Sequence, residues 1–264
     1  MKAMILAAGL GTRLKPWTLT HPKALVPVGG VPMLERVIRK LEKEGFDDIV
    51  VNIHHFGDQI IDFLKSRQWQ AHISISDERG ELLDTGGGIS RASGFLGANS
   101  QPFLVHNVDI LSSADLSWVM RRHEESGRDI SLLVSDRDSS RKLIFDEDGT
   151  LMGWHNLSTG ELRRAANATE ADWIEIKKLA EDDNLAASGR FNEYAFSGIH
   201  VMSPDSVFTE IKRLEMGEKF PIMDFFLNGE LRLKIGGIVA EDLRLIDIGK
   251  PETLQSAELM FKMI

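Results

Sequence analysis

No cysteine occurs among the 264 residues. Disulfides, thiolate metal sites and cysteine nucleophiles are therefore excluded. Positive charge is in deficit: 31 Lys and Arg stand against 40 Asp and Glu, a net charge of −9. No nucleic-acid partner is expected from an overall field of that sign, although a local basic pocket for a phosphate ligand is compatible with it. Long apolar runs are missing as well. No stretch approaches the ~18 residues of a membrane span, so no membrane partner is expected. The opening Met1–Gly9 carries an apolar run of about six residues, short of the roughly 7–15 of a signal-peptide core, and Arg13, Lys15 and Lys23 follow it. It reads as a buried first strand, and the cytoplasm is the expected compartment. Repeats and low-complexity linkers are also absent. With 42% hydrophobic and 27% charged residues, the chain has the apolar material for one core, and a single domain over residues 1–264 is expected, with an insertion or lid at about 155–190.

What is present is an alternation of short apolar runs and amphipathic helical patterns. Strands are expected at Ala3–Ala7, Ile49–Ile53, His72–Ser76, from Phe103, and at Ile130–Val134. Between them, Pro32–Glu44 places Met33, Leu34, Val37, Ile38 and Leu41 on one helical face, with Pro32 in the first turn and Gly45 past the end. Shorter helices are expected around Ile60–Leu64, over Gly88–Leu96, and from an Asp115 cap to Gly127. Such alternation predicts an α/β fold with a mainly parallel sheet. The second half is more mixed. A β-hairpin is expected across Asp146–Thr150, a polar insertion with one or two helical turns near Trp173–Leu179, and strands at Phe196–Met202, Leu231–Ile235 and Leu243–Ile246. A helix is expected from Ser203, and another closing the chain over Pro251–Ile264.

Chemistry concentrates near the start. Leu6-Ala7-Ala8-Gly9-Leu10-Gly11-Thr12-Arg13-Leu14 is a glycine-rich turn after a buried strand, where backbone N–H groups can approach phosphate oxygens. Pro22-Lys23-Ala24-Leu25-Val26-Pro27-Val28 follows, and Arg13 and Lys23 add fixed positive charge. A P-loop would need Gly-Lys-Ser/Thr, which Gly11-Thr12-Arg13 does not supply. A dinucleotide fingerprint would need a third glycine where Leu14 stands and an acid at the end of the second strand, which reads Asn52-Ile53-His54; this also sets aside an NAD-linked oxidoreductase. His54 and His55 are adjacent on an extended segment and point opposite ways, so a metal pair is not expected there.

The string from Leu6 to Val28 resembles the signature of the sugar-1-phosphate nucleotidylyltransferases. Later landmarks fall in that family's order: Thr85-Gly86-Gly87-Gly88, Asn107-Val108-Asp109, Phe196-Ser197-Gly198-Ile199 and Asp247-Ile248-Gly249. The resemblance is nearest to N-acetylmuramate-1-phosphate uridylyltransferases, with mannose-1-phosphate guanylyltransferases as close neighbours. It implies a Rossmann-like three-layer sandwich with a small mixed β region, and nucleotide-sugar synthesis, here for the cell wall, from an NTP and a sugar-1-phosphate with release of pyrophosphate. UTP is favoured, GTP with mannose- or heptose-1-phosphate is the alternative, and a non-catalytic nucleotide-sugar-binding module is a second. By the same resemblance Ala7, Ala8, Gly9, Gly11, Thr12, Arg13, Lys23, Thr85, Gly86 and Gly87 would bind the nucleotide. Arg13 and Lys23 would be catalytic through charge, Asn107 and Gly198 would face the sugar, and Asp109 and Asp247 would hold Mg²⁺. Val108 stands where the family often has Gly and is expected to crowd the sugar side. The usual Glu-Lys-Pro-type sugar element is not evident, and the segment from Trp154 through Arg164 is its expected replacement. The exposed faces of the second-half strands leave a homodimer open.

Overall fold

The computed structural model describes residues 1–182 and 184–249, together with 253, 254 and 257. The expected closing helix over 251–264 lies almost wholly outside the described residues.

In chain order the strands and helices of the first half are β1 (Lys2–Leu6), β2 (Pro27–Val28), β3 (Val31–Pro32), α1 (Met33–Lys43), β4 (Asp48–Ile53), α2 (Gly57–Lys65), β5 (His72–Asp77), α3 (Asp84–Arg91), α4 (Ser93–Leu96), β6 (Phe103–Asn107), β7 (Ile110–Ser112), α5 (Leu116–Ser126) and β8 (Ile130–Ser135). The second half adds β9 (Arg141–Asp146), β10 (Leu151–Asn156), β11 (Glu161–Arg164), α6 (Glu170–Glu181), β12 (Phe191–Met202), α7 (Pro204–Arg213), α8 (Ile222–Phe226), β13 (Ile235–Val239) and β14 (Leu245–Asp247).

β5, β4, β1 and β6 lie side by side and parallel, then β12 joins β6 antiparallel. β8 pairs with the last part of β12, and β13 closes that edge parallel to β8. The first residues of β12, Phe191–Tyr194, instead pair with β9, which continues antiparallel through β10 to β11. One ten-stranded sheet thus has a mostly parallel centre and an antiparallel wing.

The alternation of side chains in the central strands builds the layers. From β1, Ala3 and Ile5 enter the core under α1, α2 and α5, with Leu34, Ile38, Ile60 and Leu116, while Met4 faces the opposite core, with Ile89, Val207, Phe225 and Phe226 of α3, α7 and α8. This is the three-layer sandwich. The Asp115 carboxylate accepts the Trp118 N–H at 2.7 Å and caps α5, which ends at Gly127 in the left-handed region, φ 61°. No described helix is long and apolar enough to cross a membrane.

Three expectations shift. The helix around the glycine run begins at Asp84 rather than Gly88, so all three glycines are helical. They are held there by tertiary contact, since the Gly86 and Gly87 N–H groups both donate to the Phe220 carbonyl. The strand expected at Leu231–Ile235 forms at Ile235–Val239, because its partner β8 opens at Ile130, opposite Ile235. Leu231 and Leu233 are buried without being part of a ladder. The segment at 155–190 holds more structure than one or two turns: β11 pairs with β10, and the twelve-residue α6 covers the outer face of the wing with Ile176 and Trp173, against Ile144, Met152 and Phe191.

Candidate active site

The site forms where β1, β4 and β6 end. The register aligns Leu6 with Asn52 on one side and with Asn107 on the other. These carboxyl ends are where parallel α/β sheets open a ligand crevice. The chain leaving β1 is pinned from the neighbouring strand: Asn52 Oδ1 accepts the Ala7 N–H at 2.6 Å and the Ala8 N–H at 3.3 Å. Asn52 Nδ2 in turn donates to Glu78 Oε1 at 2.8 Å. Burial pushes the Glu78 carboxyl above its ordinary range, with the Asn52 bond opposing. Nothing about Asn52 except a polar residue closing an apolar strand marked it in the sequence.

Gly11 turns the loop at φ 62°, where side chains are rarely accommodated, and a Cβ there would stand 2.8 Å from both Lys23 Cβ and Thr18 Cγ2. The glycine therefore lets the Lys23 segment lie directly against the loop. From that position Lys23 Nζ reaches Asp109 Oδ2 in a mostly buried ion pair.

Asp109 and Asp247 are far apart in sequence and are brought together by a small antiparallel ladder. β14 pairs with β7, setting Asp247 opposite Ile110, and the Ile248 N–H donates to the Asp109 carbonyl at 2.8 Å. Burial, and next the Asp109 carboxylate beside it, raise the Asp247 carboxyl above its usual value, while Lys23 and Arg13 pull the other way. Gly249 lies between the Arg13 guanidinium and Asp247: a Cβ on it would be 2.7 Å from Arg13 Nη2 and 2.8 Å from Asp247 Oδ1. Arg13, Lys23, Asp109 and Asp247 thus form one cluster.

Two clefts meet at this cluster. One, about 270 Å³, is lined by Ala8, Gly9, Lys23 and Asp109 and by Asn52, Leu82, Asp84 and Thr85. A second, about 350 Å³, is lined by Asp247, Gly198, Trp154, Arg137, Arg141 and Lys142. Asn107 lines both. Gly198 adopts φ 74°, and a Cβ there would stand 2.8 Å from Asn107 Nδ2. Val108 is buried in the core at 4% exposure while bordering the first cleft, so most of its bulk is directed away from the second.

The family is decided by sequence comparison. A model described as "Nucleotidyl transferase" matches residues 2–143. The chain belongs to the nucleotidyl transferase family, as a sugar-1-phosphate nucleotidylyltransferase. It is 31% identical over 209 residues to an N-acetylmuramate alpha-1-phosphate uridylyltransferase of Caulobacter vibrioides, covering 77% of this chain and 75% of that one. It is 34% identical over 209 residues to mannose-1-phosphate guanylyltransferase 1 of Arabidopsis thaliana, covering 77% of this chain and 50% of that longer one. Among solved structures, HddC from Yersinia pseudotuberculosis superposes with a TM-score of 0.72 at 24% identity, covering 98% and 99% of the two chains. That protein has also been solved in complex with GMP-PN. At that identity the likeness shows the Rossmann-like fold.

In this nucleotidylyltransferase the residues singled out from the sequence take different places. Ala8, Gly9, Lys23 and Thr85 line the first cleft, and Gly198 and Asp247 the second. The Ala7 N–H is taken by Asn52 and is not turned to a ligand. Thr12 and Arg13 are exposed on the loop. Gly86 and Gly87 are closed off from the first cleft, since a Cβ on Gly86 would lie 2.2 Å from the Phe220 ring and one on Gly87 2.2 Å from the Glu218 carbonyl oxygen. Thr85 accepts the Ile222 N–H at 2.9 Å through its hydroxyl and anchors α3 to α8. In the segment from Trp154 through Arg164, Trp154 borders the second cleft, but Arg163 pairs with Asp224 and Arg164 with Glu170. The cations of that cleft come instead from Arg137, Arg141 and Lys142, which sequence reasoning missed because they stand in and beside a polar turn with no motif around them.

Proposed function

We propose that the first cleft holds the NTP and the second the sugar-1-phosphate, and that the reaction joins them at the Asp109–Asp247 cluster. The observation that supports this reading is the meeting of two clefts at one carboxylate pair flanked by Arg13 and Lys23. One polyanion entering from each side would place an acceptor phosphate against the α-phosphate of the NTP. An acceptor oxygen forms the new bond to the α-phosphorus, and the bond from that phosphorus to the α–β bridging oxygen breaks. The electron pair leaves with pyrophosphate. A phosphate monoester has a second pKa near 6 and is largely dianionic at neutral pH, so no general base is required. The barrier is charge repulsion and alignment, which positioned cations and a shaped cleft lower.

Asp109 and Asp247 fit a hard divalent ion. Held side by side by the β7–β14 ladder, the two carboxylates are an oxygen donor set with excess negative charge, and Mg²⁺ typically combines one or two carboxylates with substrate phosphates and water. The ion would neutralise phosphate charge in the transition state. Lys23 and Arg13 would do so from the protein side. The Gly9 backbone borders the phosphates, and Leu82, Asp84 and Thr85 border the base. UTP with N-acetylmuramate-1-phosphate is the favoured pair, supported by the uridylyltransferase relative. GTP with mannose-1-phosphate is the second reading, supported by the guanylyltransferase relative.

The test is pyrophosphate release across a panel of UTP and GTP with N-acetylmuramate-1-phosphate, mannose-1-phosphate and a heptose-1-phosphate, with Mg²⁺. Turnover with at least one pair is expected. Folded protein that turns over none contradicts the proposal.

A further inference from the structure

We infer that Arg137 is the residue that grips the phosphate of the acceptor in the second cleft; this rests on the two-cleft reading above. Arg137 follows β8 and lines the cleft together with Asn107, Gly198 and Asp247. Its Nη2 donates to the Phe196 carbonyl at 2.9 Å, its Nη1 makes a longer bond of 3.5 Å to the Asp138 carbonyl, and its own carbonyl accepts from Lys142 Nζ at 2.8 Å. Backbone and side chain are thus both fixed before any ligand arrives, which lowers the ordering cost of binding. Yet the Nε–H is buried and has no hydrogen-bond partner among the described residues. A buried, unsatisfied donor on a cationic group is costly. Here it belongs to the side chain whose planar fork best matches phosphate. Asp247 lines the same cleft, and its charge supports the guanidinium against the effect of burial. The other two cations of the cleft have different situations: Lys142 Nζ is committed to the Arg137 carbonyl and lies 3.6 Å from Asp136, while Arg141 is exposed.

The consequence is a division of labour between the clefts. Lys23 and Arg13 act on the NTP side, and Arg137 acts on the sugar-1-phosphate side, holding its phosphate beside Asp247. The experiment compares wild type, R137Q and R137K with whichever substrate pair of the panel the wild type turns over. KM for the sugar-1-phosphate and KM for the NTP are measured separately, with thermal melts as a check on folding. In R137Q the acceptor KM is expected to rise about tenfold or more, as loss of a charge-assisted hydrogen bond implies, with the NTP KM unchanged. R137K keeps the charge and loses the fork, and its acceptor KM is expected to rise at least threefold. Should R137Q fail to fold, R137K decides alone. An acceptor KM within threefold of wild type, or an equal rise for the NTP, overturns the assignment while leaving the two-cleft reading in place. Absence of wild-type turnover would instead overturn that reading.

Discussion

At the scale of residues, the site is a set of charges kept close by small neighbours. Gly11 and Gly249 leave room for Lys23 and Arg13 to approach Asp109 and Asp247. Lys23→Ala and Asp109→Ala are each expected to lower kcat/KM by about 10²-fold or more, in line with the ~2.7–4 kcal/mol lost with a single transition-state charge contact. Steady-state pyrophosphate release measures this, and near-wild-type values in either variant would remove that residue from the mechanism. That Arg13, Lys23, Asp109, Asp247, Asn107 and Gly198 gather at one place follows from strings that stand out in the sequence, each with a resemblance behind it; their roles are part of the proposal. Asn52 and Arg137 did not stand out in the sequence. Their roles come from what they face across the fold, Asn52 toward the β1 loop and Arg137 toward the β12 carbonyl, and no local spacing encodes either.

At the scale of elements, local pattern sufficed where the core is built by one stripe. α1 and α5 lie within a residue or two of their expected limits, since Pro32 and Gly45 bracket the first and the Asp115 cap and Gly127 the second. It failed where tertiary contact overrode propensity. Three consecutive glycines weaken a helix, but α3 forms through them because the 218–220 segment packs on the bare faces of Gly86 and Gly87, and Glu78 and Asn52 pack on that of Gly88. α6 was underread for a different reason. It is mostly polar, with only Ile176 fully buried, and its start is marked by the Thr169–Asp172 capping box rather than by periodicity. Thr169→Ala removes the acceptor for the Asp172 N–H and is expected to cost about 1 kcal/mol, read as a lower midpoint in urea. Because α6 covers the outer face of the wing, away from both clefts, kcat is expected to stay at the wild-type value. A large loss of activity without a stability change would place α6 in the site.

At the scale of the whole molecule, the fold carries buried histidines, two in the sheet and one in α5, that stability at low pH will report. Burial lowers His106 and His123 to about 4 and His200 to about 3. The folded chain holds all three neutral where the unfolded chain, near 6.5, takes up protons. Stability is therefore full above pH 6.5 and is lost as pH falls toward 4. The raised carboxyls of Glu78 and Asp247 act in the opposite sense, disfavouring the fold as pH rises above the ordinary carboxylate range. His200 is the clearest probe, because neither ring nitrogen has a hydrogen-bond partner among the described residues and the ring packs edge-on against Phe226 at 5.5 Å. His200→Phe is expected to shrink the loss of unfolding free energy between pH 6.5 and pH 5 by about 2 kcal/mol, measured by urea unfolding at the two pH values. An unchanged loss would show that His200 does not stay neutral.

The central claim, that two clefts deliver two anions to one carboxylate pair, is tested most directly by following the phosphorus atoms. NTP labelled at the α-phosphate and, in a parallel reaction, at the γ-phosphate is incubated with Mg²⁺ and the accepted sugar-1-phosphate. The account predicts that the α-label appears in the nucleotide sugar and the γ-label in pyrophosphate, only when the sugar-1-phosphate is present. An α-label that ends in free nucleoside monophosphate, or pyrophosphate released without the acceptor, would contradict it.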